Sequence, residues 1–125
     1  MSNTTNSLTT EGVEAVERFN RIVGEFQIKL PPATPTDLTA TQGSPGVIKL
    51  EWKAGSPRHE DGFKIERRSP GATDFKKVAQ VGPAASSEHK YEDTGLASGD
   101  YDYRVQAFNR RAHSAFVSES VTLNP

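Results

Sequence analysis

A chain of 125 residues with a net charge of −1 and no cysteine has room for one domain of ordinary size and a short tail. Without thiols it has no disulfide framework and no thiolate nucleophile or metal ligand, and its mixed charge gives no electrostatic basis for binding nucleic acid or an anionic membrane. Hydrophobic residues make up 34% of the chain, below the globular average, so part of it is expected to lie outside a packed core.

The composition changes at Pro31. Residues 1–9 are almost all Ser, Thr and Asn, too polar to pack, and are expected to be disordered. A short helix is predicted over residues 11–23. Thr10 can cap it, Glu11 and Glu14 suit its positive end, and Val13, Val16, Phe19, Ile22 and Val23 recur at spacings of three and four. Gly12 and the β-branched residues weaken it in isolation. After Gly24 the period becomes two: Phe26, Ile28 and Leu30 share one side of an extended segment over 25–30. "PPATP" follows as a stiff connector. The first thirty residues lack the basic start and continuous apolar run of a signal peptide, and no stretch has the length to span a bilayer. Synthesis in the cytoplasm, without membrane insertion, is the expectation.

From Thr36 the chain reads as short strands closed by turn residues. "TDLTAT" offers Leu38 and Ala40; "VIKLEW" turns Ile48, Leu50 and Trp52 inward and Lys49 and Glu51 outward. "GFKIERR" gives Phe63 and Ile65, "DFKKVAQV" gives Phe75, Val78 and Val81, and "HKYED" gives Tyr91. "YDYRVQA" carries Tyr101, Tyr103, Val105 and Ala107, and the last segment carries Val117, Val121 and Leu123. The breaks "GSPG", "GSPRHEDG", "SPGATD", "GPAASS" and "GLASGD" are turn chemistry. Seven strands at this spacing predict an all-β, antiparallel, immunoglobulin-like sandwich over residues 31–125.

This ordered set resembles fibronectin type III domains: the proline-rich entry with Leu38 and Ala40, "LEW", "GFKIERR", "YEDTGL", "YDYRVQAFN", and a closing strand with Ser114 and Ser118. The resemblance implies a corner in which Leu96 precedes the turn and the Tyr101 hydroxyl bonds back to the backbone. Tyr103 would fill core beside Trp52, and Tyr103→Phe should cost less than Tyr101→Phe if the Tyr103 hydroxyl reaches solvent at the sheet edge. The last hairpin, "NRRAHSA", departs from the family's frequent asparagine–glycine and holds Arg110, Arg111 and His113. It contains no Arg-Gly-Asp, so integrin-type recognition does not carry over.

No constellation points to catalysis. His59, His89 and His113 lie in or beside separate turns without metal-site spacing, and read as surface histidines. Glu60–Asp61, Glu92–Asp93 and Asp100/Asp102 are acidic pairs of the kind that turns keep solvated; "DYD" offers calcium less than a full oxygen cage. Phosphate loops and nucleophile elbows are absent. No cofactor or metal is expected. Arg67–Arg68, Lys76–Lys77 and Arg110–Arg111 are basic pairs, yet over residues 31–125 twelve basic residues balance twelve acidic ones, which favours a mixed surface over a nucleic-acid face. Phe108 and Phe116 should point outward and, with Arg110 and Arg111, are secondary candidates for a contact patch.

The apolar residues before Pro31 are the first candidates for partner binding, because an apolar stripe needs a cover. Val13, Val16, Phe19, Ile22, Val23, Phe26, Ile28 and Leu30 are expected to anchor the chain in a protein assembly, or to pair copies of it. The whole then resembles the decoration and tail accessory proteins of bacteriophage virions: a non-enzymatic module, made in the host cytoplasm and carried in many copies on a capsid or tail surface. The alternatives are an extracellular accessory module of a secreted bacterial enzyme or surface protein, and, in another class, a carbohydrate-binding module or small hydrolase.

Overall fold

The computed structural model describes residues 31–125. The helix expected over 11–23, the extended segment over 25–30 and the eight anchoring residues from Val13 to Leu30 lie outside the described residues.

Among the described residues seven strands follow one another: β1 (Thr36–Gln42), β2 (Ile48–Lys53), β3 (Gly62–Arg68), β4 (Lys76–Val81), β5 (Glu88–Asp93), β6 (Gly99–Phe108) and β7 (Val117–Leu123). They form a three-stranded sheet in the order β1-β2-β5 and a four-stranded sheet in the order β4-β3-β6-β7, all neighbours antiparallel. Period-two alternation drives this arrangement, because a strand with one apolar face must bury it against a second sheet. Ile48, Leu50 and Trp52 from β2 meet Phe63 and Ile65 from β3 and Tyr101, Tyr103, Val105 and Ala107 from β6, with Leu38 and Leu123 completing the core. Each large buried side chain contributes about 1.5–3 kcal/mol.

The corner forms as the resemblance implied. The Tyr101 hydroxyl donates to the Ala97 carbonyl at 2.7 Å, and Leu96 packs half-buried against the core. Its N–H donates to the Gly46 carbonyl at 3.1 Å, tying the β5–β6 turn to the β1–β2 turn. Gly46 holds a positive φ of 79° in that turn, which a side chain would strain.

Four expectations are corrected, the first being that the acidic pairs stay solvated: the Glu60 and Asp93 side chains are 6% and 7% exposed, each beside an arginine. Tyr103 does not send its hydroxyl to solvent: the residue is fully buried, and the hydroxyl donates to Asp93 Oδ2 at 2.7 Å. Arg67 Nη1 donates to the same oxygen at 2.8 Å, so a Tyr–Asp–Arg network crosses between the sheets. His89 is not a surface histidine. It is 7% exposed, stacked on Trp52 with ring centroids 5.9 Å apart and tilted against Phe63 at 4.4 Å. Its β5 position opposite Trp52 puts it on the inward side of the alternation. Phe75, finally, is not part of the inward row. The β3–β4 register shifts between Ile65 and Glu66, and this bulge moves everything before Val78 to the opposite face.

Candidate interaction surface

The outer faces of the two sheets differ in chemistry. On the three-stranded sheet, Lys49–Glu92, Lys90–Glu51 and Lys53–Asp37 form loose pairs at 4.0, 3.7 and 3.8 Å, every side chain more than half exposed. Such pairs contribute little to stability and stay solvated. A shallow groove of about 240 Å³ runs between them past Thr39 and Glu88, without an exposed aromatic.

The four-stranded sheet turns its even-numbered residues outward in β3 and β6. Glu66 lies opposite Arg104, and Arg68 opposite Asp102. Arg104 donates from Nε to Glu66 Oε1 at 2.7 Å, and its Nη2 is 2.6 Å from the same oxygen. Arg68 donates from Nη2 and Nε to Asp102 Oδ2 at 2.6 and 2.9 Å. The Arg104 guanidinium stands between two rings, 4.2 Å from the centroid of Phe75 and 4.0 Å from that of Phe116, and Arg68 lies 4.9 Å from Phe75. A planar, weakly hydrated guanidinium suits this double stack in a way an ammonium does not.

Hydroxyls from β7 fix the acidic positions. Ser120 donates to Asp102 Oδ1 and Thr122 to Asp100 Oδ1. The Ser120 hydroxyl first, then Arg68, hold the Asp102 carboxyl below the ordinary carboxylate range against a small opposing effect of burial. The two acids of "DYD" are thus engaged with protein donors, and among the described residues no group of three or more His, Cys, Asp or Glu is arranged to hold a metal ion.

Phe108 and Phe116, both singled out from the sequence, reach this same outer face. The Phe108 ring lies under Lys64 Nζ at 5.2 Å and against Gly62, where an added Cβ would come within 3.0 Å of the ring and 2.3 Å of the Val81 carbonyl. Lys64 Nζ also meets His113 Nε2 at 2.8 Å. Arg110 and Arg111 lie apart from the stack, exposed in the β6–β7 hairpin, which Asn109 closes by accepting from the N–H groups of Arg111 and Ala112. Phe75, Glu66 and Arg104 were not among the residues singled out from the sequence for this surface. The only available signal was the irregular 75, 78, 81 spacing, which no unbroken strand can turn to one face.

A second cluster sits at one pole of the sandwich. Arg58 donates to the carbonyls of Ala84 and Ala85 and lies 3.5 Å from Glu60, linking the β2–β3 and β4–β5 loops near His89. Burial lowers the His89 pKa below its ordinary value, with Glu60 opposing and Arg58 reinforcing the shift. Among the described residues, Trp52 Nε1 and His89 Nε2 are the buried side-chain atoms without a hydrogen-bond partner. The groove on the three-stranded sheet has Trp52 and His89 in its lining, although both residues are buried.

The fold is that of a fibronectin type III domain. A fibronectin type III domain of human collagen XX superposes with a TM-score of 0.59 at 27% identity, covering 74% of this chain and 94% of that one. An Fn3-like protein from Clostridium thermocellum gives 0.52 at 26% identity, covering 71% and 92%. A cell-surface multi-modular chitinase from Paenibacillus matches at 0.59 and 17% identity over 77% of this chain but only 9% of its own length. No protein-family model matches the sequence, and no curated protein does.

Proposed function

We propose that the chain is a non-enzymatic structural module, held in a protein assembly by residues 10–30 and presenting its fibronectin type III sandwich outward, as a decoration or accessory protein of a bacteriophage capsid or tail. The observation that supports this is the completeness of the sandwich. Both layers and a filled core are built from side chains between Leu38 and Leu123, so the apolar residues Val13, Val16, Phe19, Ile22, Val23, Phe26, Ile28 and Leu30 are not required to complete it. Copies attached in this way gain from multivalency what one short segment lacks in affinity.

Mass spectrometry of purified particles, compared with the secreted and cell-wall fractions of cells carrying the gene, tests the setting. In particles, Phe19→Ser/Phe26→Ser should abolish incorporation and leave the melting transition of the sandwich unchanged. Normal incorporation of that variant refutes the anchor. Recovery of the chain only from secreted protein favours the other reading, an accessory module of a larger bacterial protein, for which the likeness to one small part of a multi-modular cell-surface chitinase is the specific support.

A further inference from the structure

We propose that the outer face of the four-stranded sheet is a self-recognition surface, on which a second copy of this chain docks face to face about a two-fold axis parallel to β3 and β6.

Charge complementarity identifies the occupant. Across the central pair of strands the outward charges form a checkerboard, Glu66 beside Arg104 and Arg68 beside Asp102. A two-fold axis running between β3 and β6 lays β3 of one copy over β6 of the other. Glu66 then faces Arg104 and Arg68 faces Asp102 in both directions, so every charged position of the square meets its opposite. The same rotation lays β4 over β7, bringing the Phe75 side of one copy to the Phe116 side of its partner. An isologous interface requires a patch complementary to itself, and this arrangement supplies one in charge and in apolar surface.

The energetics favour this face over its opposite. Its arginines are already pinned between rings and carboxylates, so docking immobilises few new rotamers, which is a large part of what association otherwise loses. Their charges are already matched within the chain, so covering them strands no lone ion. Arginine with aromatic neighbours is also the composition that concentrates binding energy at interfaces. The Lys/Glu face of the three-stranded sheet also alternates its charges across β2 and β5, but its pairs are loose and more than half exposed, and it has neither a pinned arginine nor an aromatic stack.

Sedimentation equilibrium of the full chain at concentrations up to about 1 mM, the range suited to an interface below standard size, reads the result. The expected outcome is a monomer–dimer equilibrium that survives Phe19→Ser/Phe26→Ser and is lost in Phe75→Ser/Phe116→Ser, with the melting transition retained in both. The second test swaps one ion pair within the chain, Arg68→Asp/Asp102→Arg, which preserves the intrachain bridge and the Arg104 stack. Swapped chains should dimerise among themselves but refuse wild-type chains, because a mixed pair sets like charges together at both positions; native mass spectrometry of the mixture should show homodimers alone. A chain that stays monomeric, a dimer lost only with Phe19 and Phe26, a dimer indifferent to Phe75 and Phe116, or statistical mixing of swapped and wild-type chains each overturns the proposal.

Discussion

Removing the hydroxyl of Tyr101 or of Tyr103 separates two kinds of hydrogen bond, one part-buried and one buried. Tyr103 donates to Asp93 Oδ2, which also accepts from Arg67, and the Asp93 side chain is 7% exposed. In Tyr103→Phe the ring keeps its packing, while a buried carboxylate loses one of two donors. A hydrogen bond to a charged group is worth about 1.5–3 kcal/mol, so a loss near 2 kcal/mol is expected, about 10 °C in Tm for a domain of this size. Tyr101 donates instead to the neutral Ala97 carbonyl in an exposed loop, where water can replace it, and Tyr101→Phe should lose only about 1 kcal/mol. Urea denaturation of the full chain measures both from the midpoint shift at constant slope. The network reading also requires coupling. Asp93→Asn leaves Arg67 half-buried without its counter-charge and should lose about 3–5 kcal/mol, and combining it with Tyr103→Phe should fall short of the sum by at least about 1 kcal/mol. Equal losses at the two tyrosines, or an additive cycle at Tyr103 and Asp93, would refute the reasoning.

Other expectations follow from single contacts. His89 has its folded pKa depressed by burial, so its contribution is complete above the unfolded value of about 6.5 and disappears as pH falls through the lower folded value. The stability of the wild type should therefore decline between neutral pH and pH 5 more steeply than that of His89→Phe, and parallel profiles in urea would contradict this. Gly62→Ala forces a Cβ onto the Val81 carbonyl and the Phe108 ring and should destabilise by about 2–3 kcal/mol, with an altered Phe108 environment by NMR. Arg104→Ala should lose about 1–2 kcal/mol from the double stack and its part-buried ion pair, and Arg104→Lys should recover less than half of it. A fragment of residues 31–125 should unfold cooperatively with an all-β circular dichroism spectrum; a helical signal there would count against the reading of the domain.

The inward rows of β2, β3 and β6 were legible because unbroken alternation of large apolar residues admits one register. The corner at Tyr101 was legible through the resemblance to fibronectin type III domains, which implies a leucine before the turn and a tyrosine after it. What escaped was decided between strands. His89 carries no apolar label, and its burial follows from pairing with Trp52, not from its own chemistry. The partner of the Tyr103 hydroxyl is not legible, because nothing local places Asp93, ten residues earlier, within reach of it. The outward facing of Phe75 is not legible, because a bulge leaves no mark in composition: one unpaired residue opposite Ile65 and Glu66 reverses the facing of all that precede it. The outer-face candidates Phe108 and Phe116 were visible as aromatics out of phase with the core, whereas Glu66 and Arg104 look like any solvated pair until the register sets them side by side.

The adjacent arginines Arg67 and Arg68 show how far the β3–β6 register determines both the interior and the surface. One residue apart, they leave the strand on opposite sides. Arg67 joins Tyr103 and Asp93 inside the sandwich, and Arg68 joins Asp102 outside. A slip of one residue would expose Phe63 and Ile65 and bury Lys64 and Glu66, so the hydrophobic pattern forbids it. Once that register is fixed, the outer positions follow with no further freedom: Glu66 must stand by Arg104, and Arg68 by Asp102. The charge pattern available to a partner is thus set by the same pairing that fills the core. Substitutions on the outer face can change recognition while the alternation that holds the sheets together stays intact.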